Sequence, residues 1–398
     1  MLRRDFNQLL AGLGISTVIG NHAATGAESD PLDRWRGAKV RPVSATPGRH
    51  TIHSYYLANP ESPDGSKVLY YASTAANGHV GDLCVFDRQA GTETVVARNI
   101  NTEDAHRAAC QQWTAGGRSV AYHDVRDGRW YVIVVDLNSG GERVVAEDHQ
   151  LSFGQPKGQT LPIYGCHWNP GKHRDLELLD VSTGQVRKPV TIDVVKERYG
   201  AWLAKEFGEK QVSVFFPITS PDERRVFFKI AAGSGGNDYR SKGASQRQGL
   251  IVYDLAENKF LFLREKWGHP AWHPDSRKII EMGNMFLDAE DNGKMIRLAD
   301  LPPMPGCHPS VHPDGSVYAM DGLLDAAGPR TGDWGVIICD SRGGKGRFAE
   351  LHRFDNSQGA KSWRKNHPHP VFSADGRRLY FNVNSGEWTQ LFVAEATS

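Results

Sequence analysis

From about position 50 to the C-terminus, short apolar and β-branched runs alternate with turn residues, a pattern that predicts many short strands. One phrase recurs: a Pro-Asp-Gly-like turn followed by an apolar strand. It stands at Ser62-Pro63-Asp64-Gly65 before Val68-Leu69-Tyr70-Tyr71 and at Ser220-Pro221-Asp222-Glu223 before Val226-Phe227-Phe228. It returns at His273-Pro274-Asp275-Ser276, His312-Pro313-Asp314-Gly315 and Ser373-Ala374-Asp375-Gly376. Weaker copies fit at Thr114-Ala115-Gly116-Gly117 and Trp168-Asn169-Pro170-Gly171. The turn marks fall at 64, 116, about 170, 222, 275, 314 and 375, mostly about 52 residues apart. After each turn the pattern runs apolar, Asp, turn, apolar, as in Val132 to Asp136 and then Arg143-Val144-Val145. Four strands per unit and seven units predict an all-β fold, a seven-bladed β-propeller over residues 50–398. The first strand of each unit is expected to line the central channel.

Two segments break the period. Val194 to Phe207 reads as a helix inserted between units three and four, and residues 231–248 read as a polar, Gly-rich loop. Long loops on a rigid scaffold are where function concentrates. At the N-terminus, Arg3-Arg4 with Phe6, an apolar stretch from Leu9 to Gly20 and small residues around Ala27 describe a twin-arginine export signal over residues 1–27, with a linker over 28–49. The expected location is periplasmic or secreted.

Charge adds little: 47 Lys+Arg against 46 Asp+Glu leave no electrostatic case for nucleic acid, and no apolar run reaches the length of a membrane span. The five cysteines are odd in number and lack a Cys-x-x-Cys pair, which argues against a disulfide scaffold.

The histidines carry the chemistry. His269, His308 and His369 each stand six residues before the turn aspartate of their own unit, and each is followed by Pro. Equal positions in neighbouring blades are equal positions around the axis, so these imidazoles are expected to converge at one mouth of the channel. His367 precedes His369 by two and is expected on the same side of an extended strand. Such a set suits a borderline divalent cation such as Mn2+, Zn2+ or Ni2+, and spacing alone does not select among them. A second cluster is expected from units two and three: His106, His123 and Tyr164, with His173 and Arg174 beyond, able to serve as acid, base and anion clamp. His273 and His312 are expected at surface turns, and His79, His149 and His352 in solvent.

The phrases Gly268-His269-Pro270-Ala271-Trp272, His308-Pro309-Ser310 and Asn366-His367-Pro368-His369-Pro370 resemble the oligogalacturonate lyases, seven-bladed propellers that cleave uronic-acid glycans by β-elimination. The resemblance implies His308, His367 and His369 as ligands of a divalent metal, Mn2+ ahead of Zn2+ or Ni2+, His269 as the base and an acidic oligosaccharide as substrate. The family's further Gln falls on Arg364 here. The first half is also similar to propeller-type ulvan lyases, which implies His106 and His123 with Tyr164 as proton-transfer groups. Arg240, Arg247 or Arg174 would bind the substrate carboxylate. The rival expectation is a non-catalytic periplasmic propeller resembling TolB, binding a protein or glycan.

Overall fold

In the computed structural model, which describes residues 30–266, 268–302, 308–326 and 331–397, the chain forms seven four-stranded antiparallel sheets in propeller order. The expected export signal and Cys307 lie outside the described residues. Burial explains the architecture. First strands such as His50–Ile52, Gln112–Thr114 and His149–Leu151 are buried throughout, whereas fourth strands such as Glu142–Glu147 and Lys294–Arg297 are largely exposed. Each sheet therefore runs from the channel outwards, and the apolar faces of adjacent sheets pack on one another.

The blades are ordered along the chain. Blade 1 spans 50–101, blade 2 112–147, blade 3 149–190, blade 4 212–264, blade 5 271–297 and blade 6 310–354. Blade 7 takes three strands from 371–395 and its outermost strand, Lys39–Pro42, from the start of the chain, with Lys39 opposite Glu395 and Pro42 opposite Phe392. The stretch expected to be a linker thus holds the closing strand, and just before it the buried Trp35 stands edge-on to Phe372. A charged four-residue strand (Lys-Val-Arg-Pro) has too weak a pattern to announce itself.

The recurrent turn has a chemical basis. In the Ser-Pro-Asp copies, Ser62 and Ser220 donate to the carboxylates of Asp64 and Asp222, which also accept backbone N–H groups two residues on. One expected turn is misplaced. Blade 3 turns at Gln155–Gly158, where Gly158 N–H donates to the Gln155 carbonyl, between strands His149–Leu151 and Thr160–Gly165. Trp168–Gly171 lies after the second strand, so Tyr164 sits within that strand and does not open the unit. The even period fails because the helix Ile192–Phe207 adds its length between blades 3 and 4. That helix matches expectation; Thr191 caps it, and Val195, Trp202, Leu203 and Phe207 pack into the apolar layer of blades 3 and 4.

His312, expected on the surface, is buried and its Nε2 donates to the Gly376 carbonyl of blade 7 at 2.9 Å. Position 376 has φ +68° and a Cβ there would stand 2.2 Å from that ring, so the docking of the two turns requires glycine.

Candidate functional site: converging imidazoles and a cationic recess

His106, His308, His367 and His369 bring one ring nitrogen each to within 4.8 Å of one another. Three come from the lead-in segments of blades 6 and 7, and His106 comes from the segment ahead of blade 2. The His269 ring, ahead of blade 5, lies 4.4 Å from that of His308 but stands outside the group of four. Blades at the two ends of the chain are brought together because the ring closes.

The hydrogen bonds fix which nitrogens face inward. His106 Nδ1 lies 2.7 Å from the Lys365 carbonyl, which only accepts, so that nitrogen carries the proton and Nε2 keeps its lone pair. His308 Nδ1 lies 3.0 Å from both carboxylate oxygens of Asp321, and its Nε2 is likewise left over. Asp321 also accepts the backbone N–H groups of His308 (2.7 Å) and His369 (2.8 Å), so one buried carboxylate orients two of the imidazoles. His53 donates from Nε2 to the His369 carbonyl at 2.7 Å. His369 holds φ +50°, uncommon for a residue with a side chain. The 367–369 segment is accordingly not the extended strand expected; the strand begins at Val371.

Buried nitrogens without partners are costly. Here they are gathered: Nε2 of His106 and His308, Nδ1 of His367 and both nitrogens of His369 make no hydrogen bond. Burial, with the surrounding cations and neighbouring imidazoles, lowers the pKa of His106, His308 and His369 well below the usual value and that of His367 to about 3, so all four are neutral. Neutral lone pairs of four converging imidazoles fit a borderline divalent cation. The Asp321–His308 pair is the carboxylate–histidine arrangement that orients metal-binding imidazoles.

Beside the cluster lies a recess lined by Tyr55, Arg107, Phe215, Phe216, Lys229, Arg247 and Arg364. It adjoins an open cavity of about 450 Å³ lined by Ser241, Lys242, Ser245 and Trp363, with Arg247 and Arg364 common to both. Tyr55 packs against the rings of His369 (4.6 Å), His308 (5.6 Å) and His106 (5.7 Å). Three of the cations have acidic neighbours. Arg107 Nη2 donates to Glu103 at 2.8 Å, Arg364 lies 3.9 Å from Asp104, and Lys229 feels the charge of Glu281. Arg247 makes no ion pair among the described residues: it donates to Ser245 Oγ at 2.8 Å, approaches His167 Nε2 at 3.1 Å, lies over the Phe215 ring and feels the charge of Glu103 at longer range. Burial pulls its guanidinium down to about 10. A buried arginine that lines a cavity and has no directly bonded carboxylate is placed to take an anion there.

Lys229 Nζ donates to the Gly268 carbonyl at 2.7 Å, beside His269. A Cβ at position 268 would stand 1.8 Å from Glu281 Oε2, so glycine lets that carboxylate lie against the lead-in to His269.

The other sequence candidates are placed elsewhere. Tyr164 is fully buried, its hydroxyl bonded to Arg107 Nη1 at 3.2 Å. His123 accepts the Leu151 N–H at Nδ1 and packs edge-on to Trp130, so it ties blade 2 to blade 3. Arg240 donates to the Thr102 carbonyl at 2.8 Å and packs on Tyr239, and the half-buried Arg174 is bonded to Gly171 and Gln211. Neither lines the recess. Sequence reasoning did not single out Tyr55, Arg107, Lys229 or Asp321. Asp321 alone left a signal, an acid closing the apolar run Val317 to Met320.

No protein-family model and no curated protein sequence matches the chain. Among solved structures, the oligogalacturonate lyase of Vibrio parahaemolyticus aligns at TM-score 0.61 and 14% identity, over 90% of this chain and 93% of that one. An oligogalacturonate lyase in complex with manganese aligns at TM-score 0.61 and 17% identity, over 92% and 95%. A TolB from Acinetobacter baumannii aligns at TM-score 0.41 and 14% identity, over 85% of this chain and 65% of that one, too loosely to bear on function. At these identities the likeness shows a shared seven-bladed propeller fold.

Proposed function

We propose that the protein is a metal-dependent lyase that cleaves uronic-acid oligosaccharides by β-elimination. The observation that carries this reading is the juxtaposition of partnerless imidazole nitrogens with a recess walled by cations. The manganese-bound oligogalacturonate lyase of the same fold supports it. The residues that would hold the metal are His106, His308, His367 and His369. His106 then supplies the fourth nitrogen, in place of the Gln whose position is Arg364. When bound, a divalent cation supplies Lewis-acid stabilisation of charge developing on the substrate carboxylate.

The chain's own residues do the rest. Arg247 binds the uronate carboxylate, and Arg364 and Lys229 add positive charge beside it. His269, neutral and partly exposed at the edge of the cluster, takes the C5 proton through a ring nitrogen. The electron pair of that C–H bond forms the C4–C5 double bond as the C4–O bond breaks. The Tyr55 hydroxyl, at the wall of the recess, gives its proton to the departing glycosidic oxygen. The phenyl faces of Phe215 and Phe216 keep water from the reacting carbons. Tyr164, fully buried against Arg107, braces that arginine. The basic, apolar and small-residue opening of the chain supports export through the twin-arginine route, which would place the reaction in the periplasm or outside.

The test is a substrate panel: homogalacturonan fragments, ulvan-type fragments, and the same fragments with carboxylates reduced to alcohols. The expected result is ultraviolet absorbance of the conjugated unsaturated product from an acidic fragment, none from its reduced counterpart, and a loss of about 10²- to 10⁴-fold in His269→Ala. Hydrolytic products without that absorbance, or no turnover of any acidic fragment by the metal-loaded protein, would overturn the reading.

A further inference from the structure

We propose that blade 3 carries a second divalent-metal site, built from His149, His173 and Glu177 and sharing no residue with the imidazole cluster. His149 opens the first strand of the blade, Glu177 lies in the third strand, and His173 stands on the connection between the second and third. One ligand atom from each lies within 4.8 Å of the others, and the two imidazole rings are 4.0 Å apart. His149, expected in solvent, is 4% exposed.

The hydrogen bonds point to a cation. His149 Nδ1 lies 2.6 Å from the Glu147 carbonyl, which accepts and does not donate, so Nδ1 carries the proton. Its Nε2 is aimed at Glu177 Oε2 in close contact. A nitrogen lone pair against a carboxylate oxygen repels unless a second proton or a metal ion stands between them. His173 Nδ1 faces the other oxygen, Oε1, at 3.4 Å, too long for a strong hydrogen bond. An imidazole bonded to a carbonyl through one nitrogen while the other faces a carboxylate is the tautomer that metal sites use. Two imidazoles and one carboxylate form a donor set for Zn2+ or a similar ion, with a position left for water. Access is present: His173 lines an open cavity of about 390 Å³, together with Asp148, whose carboxylate is paired with Arg129 at 3.0 Å.

One group competes. Lys188 Nζ lies 2.8 Å from Glu177 Oε1. The same ammonium lies 3.2 Å from Asp175 Oδ2, and its side chain is 42% exposed. It can therefore pass wholly to Asp175 when a metal occupies the carboxylate, and its removal should strengthen binding.

The experiment uses the full chain, stripped with chelator, dialysed against Zn2+ alone and measured by elemental analysis, with Co2+ visible spectra as a second readout. The proposal expects two ions per chain in the wild type, one in His308→Ala, one in His173→Ala and none in the double variant. A wild type holding one ion that His308→Ala loses and His173→Ala keeps would overturn it, and so would a wild type holding none. A wild type holding one ion, lost in His173→Ala and kept in His308→Ala, would support the blade 3 site and sink the imidazole cluster as a metal centre. Lys188→Met, a change outside the ligand set, should tighten the blade 3 site roughly tenfold by removing a nearby like charge; unchanged or weaker affinity there would count against the proposal.

Discussion

Asp321→Asn probes the imidazole cluster without touching a proposed ligand. The native carboxylate accepts from His308 N at 2.7 Å, from His369 N at 2.8 Å and from His308 Nδ1 at 3.0 Å. Those backbone donors fall on different carboxylate oxygens. An asparagine offers one oxygen, so its NH2 group must face one of the backbone N–H groups, donor against donor. A buried donor left unpaired costs about 1–3 kcal/mol, and the charge-assisted bond to the His308 ring is weakened as well. The expected loss of stability is therefore about 2–4 kcal/mol. Loss of a carboxylate that orients a metal-binding imidazole costs about 10- to 100-fold in metal affinity. The assay is a chelator competition for Mn2+ at neutral pH, paired with thermal melts with and without metal, for wild type, Asp321→Asn and Asp321→Ala. The alanine variant leaves both backbone donors and the His308 ring N–H unpaired and opens a cavity, so it should melt below the asparagine variant. Metal affinity within twofold of wild type in a folded Asp321→Asn protein would refute the reasoning.

Arg247→Lys should raise KM about tenfold or more for an acidic substrate and leave metal affinity unchanged, since a point charge replaces the fork that holds a carboxylate; equal kinetics would remove Arg247 from substrate binding. Tyr55→Phe should lower kcat on oligosaccharides by about 10²-fold, and far less on a uronide whose C4 substituent leaves without a proton; an equal loss on both would make Tyr55 structural. Asp340 tests the scaffold. Against its burial, hydrogen bonds from Arg342 and Arg347 hold its carboxyl at about 2, below the ordinary 3.8. A depressed folded-state value contributes stability above the unfolded-state value and loses it as pH falls through the folded-state value. The contribution is about 2 kcal/mol, present above pH about 4 and gone by about 2. Asp340→Asn should cost that amount at pH 7 in chemical denaturation and converge with wild type in acid; parallel stability curves would refute it.

Strand count, repeat and helical insertion were legible because side-chain alternation and Ser-Pro-Asp turns are local in the chain. Lys39–Pro42 was hidden because its pairing partner lies some 350 residues away, and pairing with Trp388–Glu395 rather than its own pattern makes it a strand. The turn of blade 3 was misread because Asn169-Pro170-Gly171 carries turn chemistry in a connection the repeat rule does not foresee. At the site, His269, His308 and His369 were found by register, which survives folding as rotation about the axis. His106 could not be assigned to their cluster, since no register links a segment ahead of blade 2 to blades 6 and 7. Lys229 and Arg247 meet by strand pairing within blade 4, but Tyr55 reaches them only through the arrangement of blades in the ring, and a sequence gives no angle between blades. Arg240 and Arg174 have the right chemistry on loops that bond elsewhere.

The four-imidazole metal centre is tested most directly by anomalous diffraction from crystals soaked in Mn2+, recorded at the manganese edge. The account predicts a peak bounded by the side-chain nitrogens of His106, His308, His367 and His369, lost when His308 is replaced by alanine. No peak between those four rings in a fully soaked crystal would contradict it.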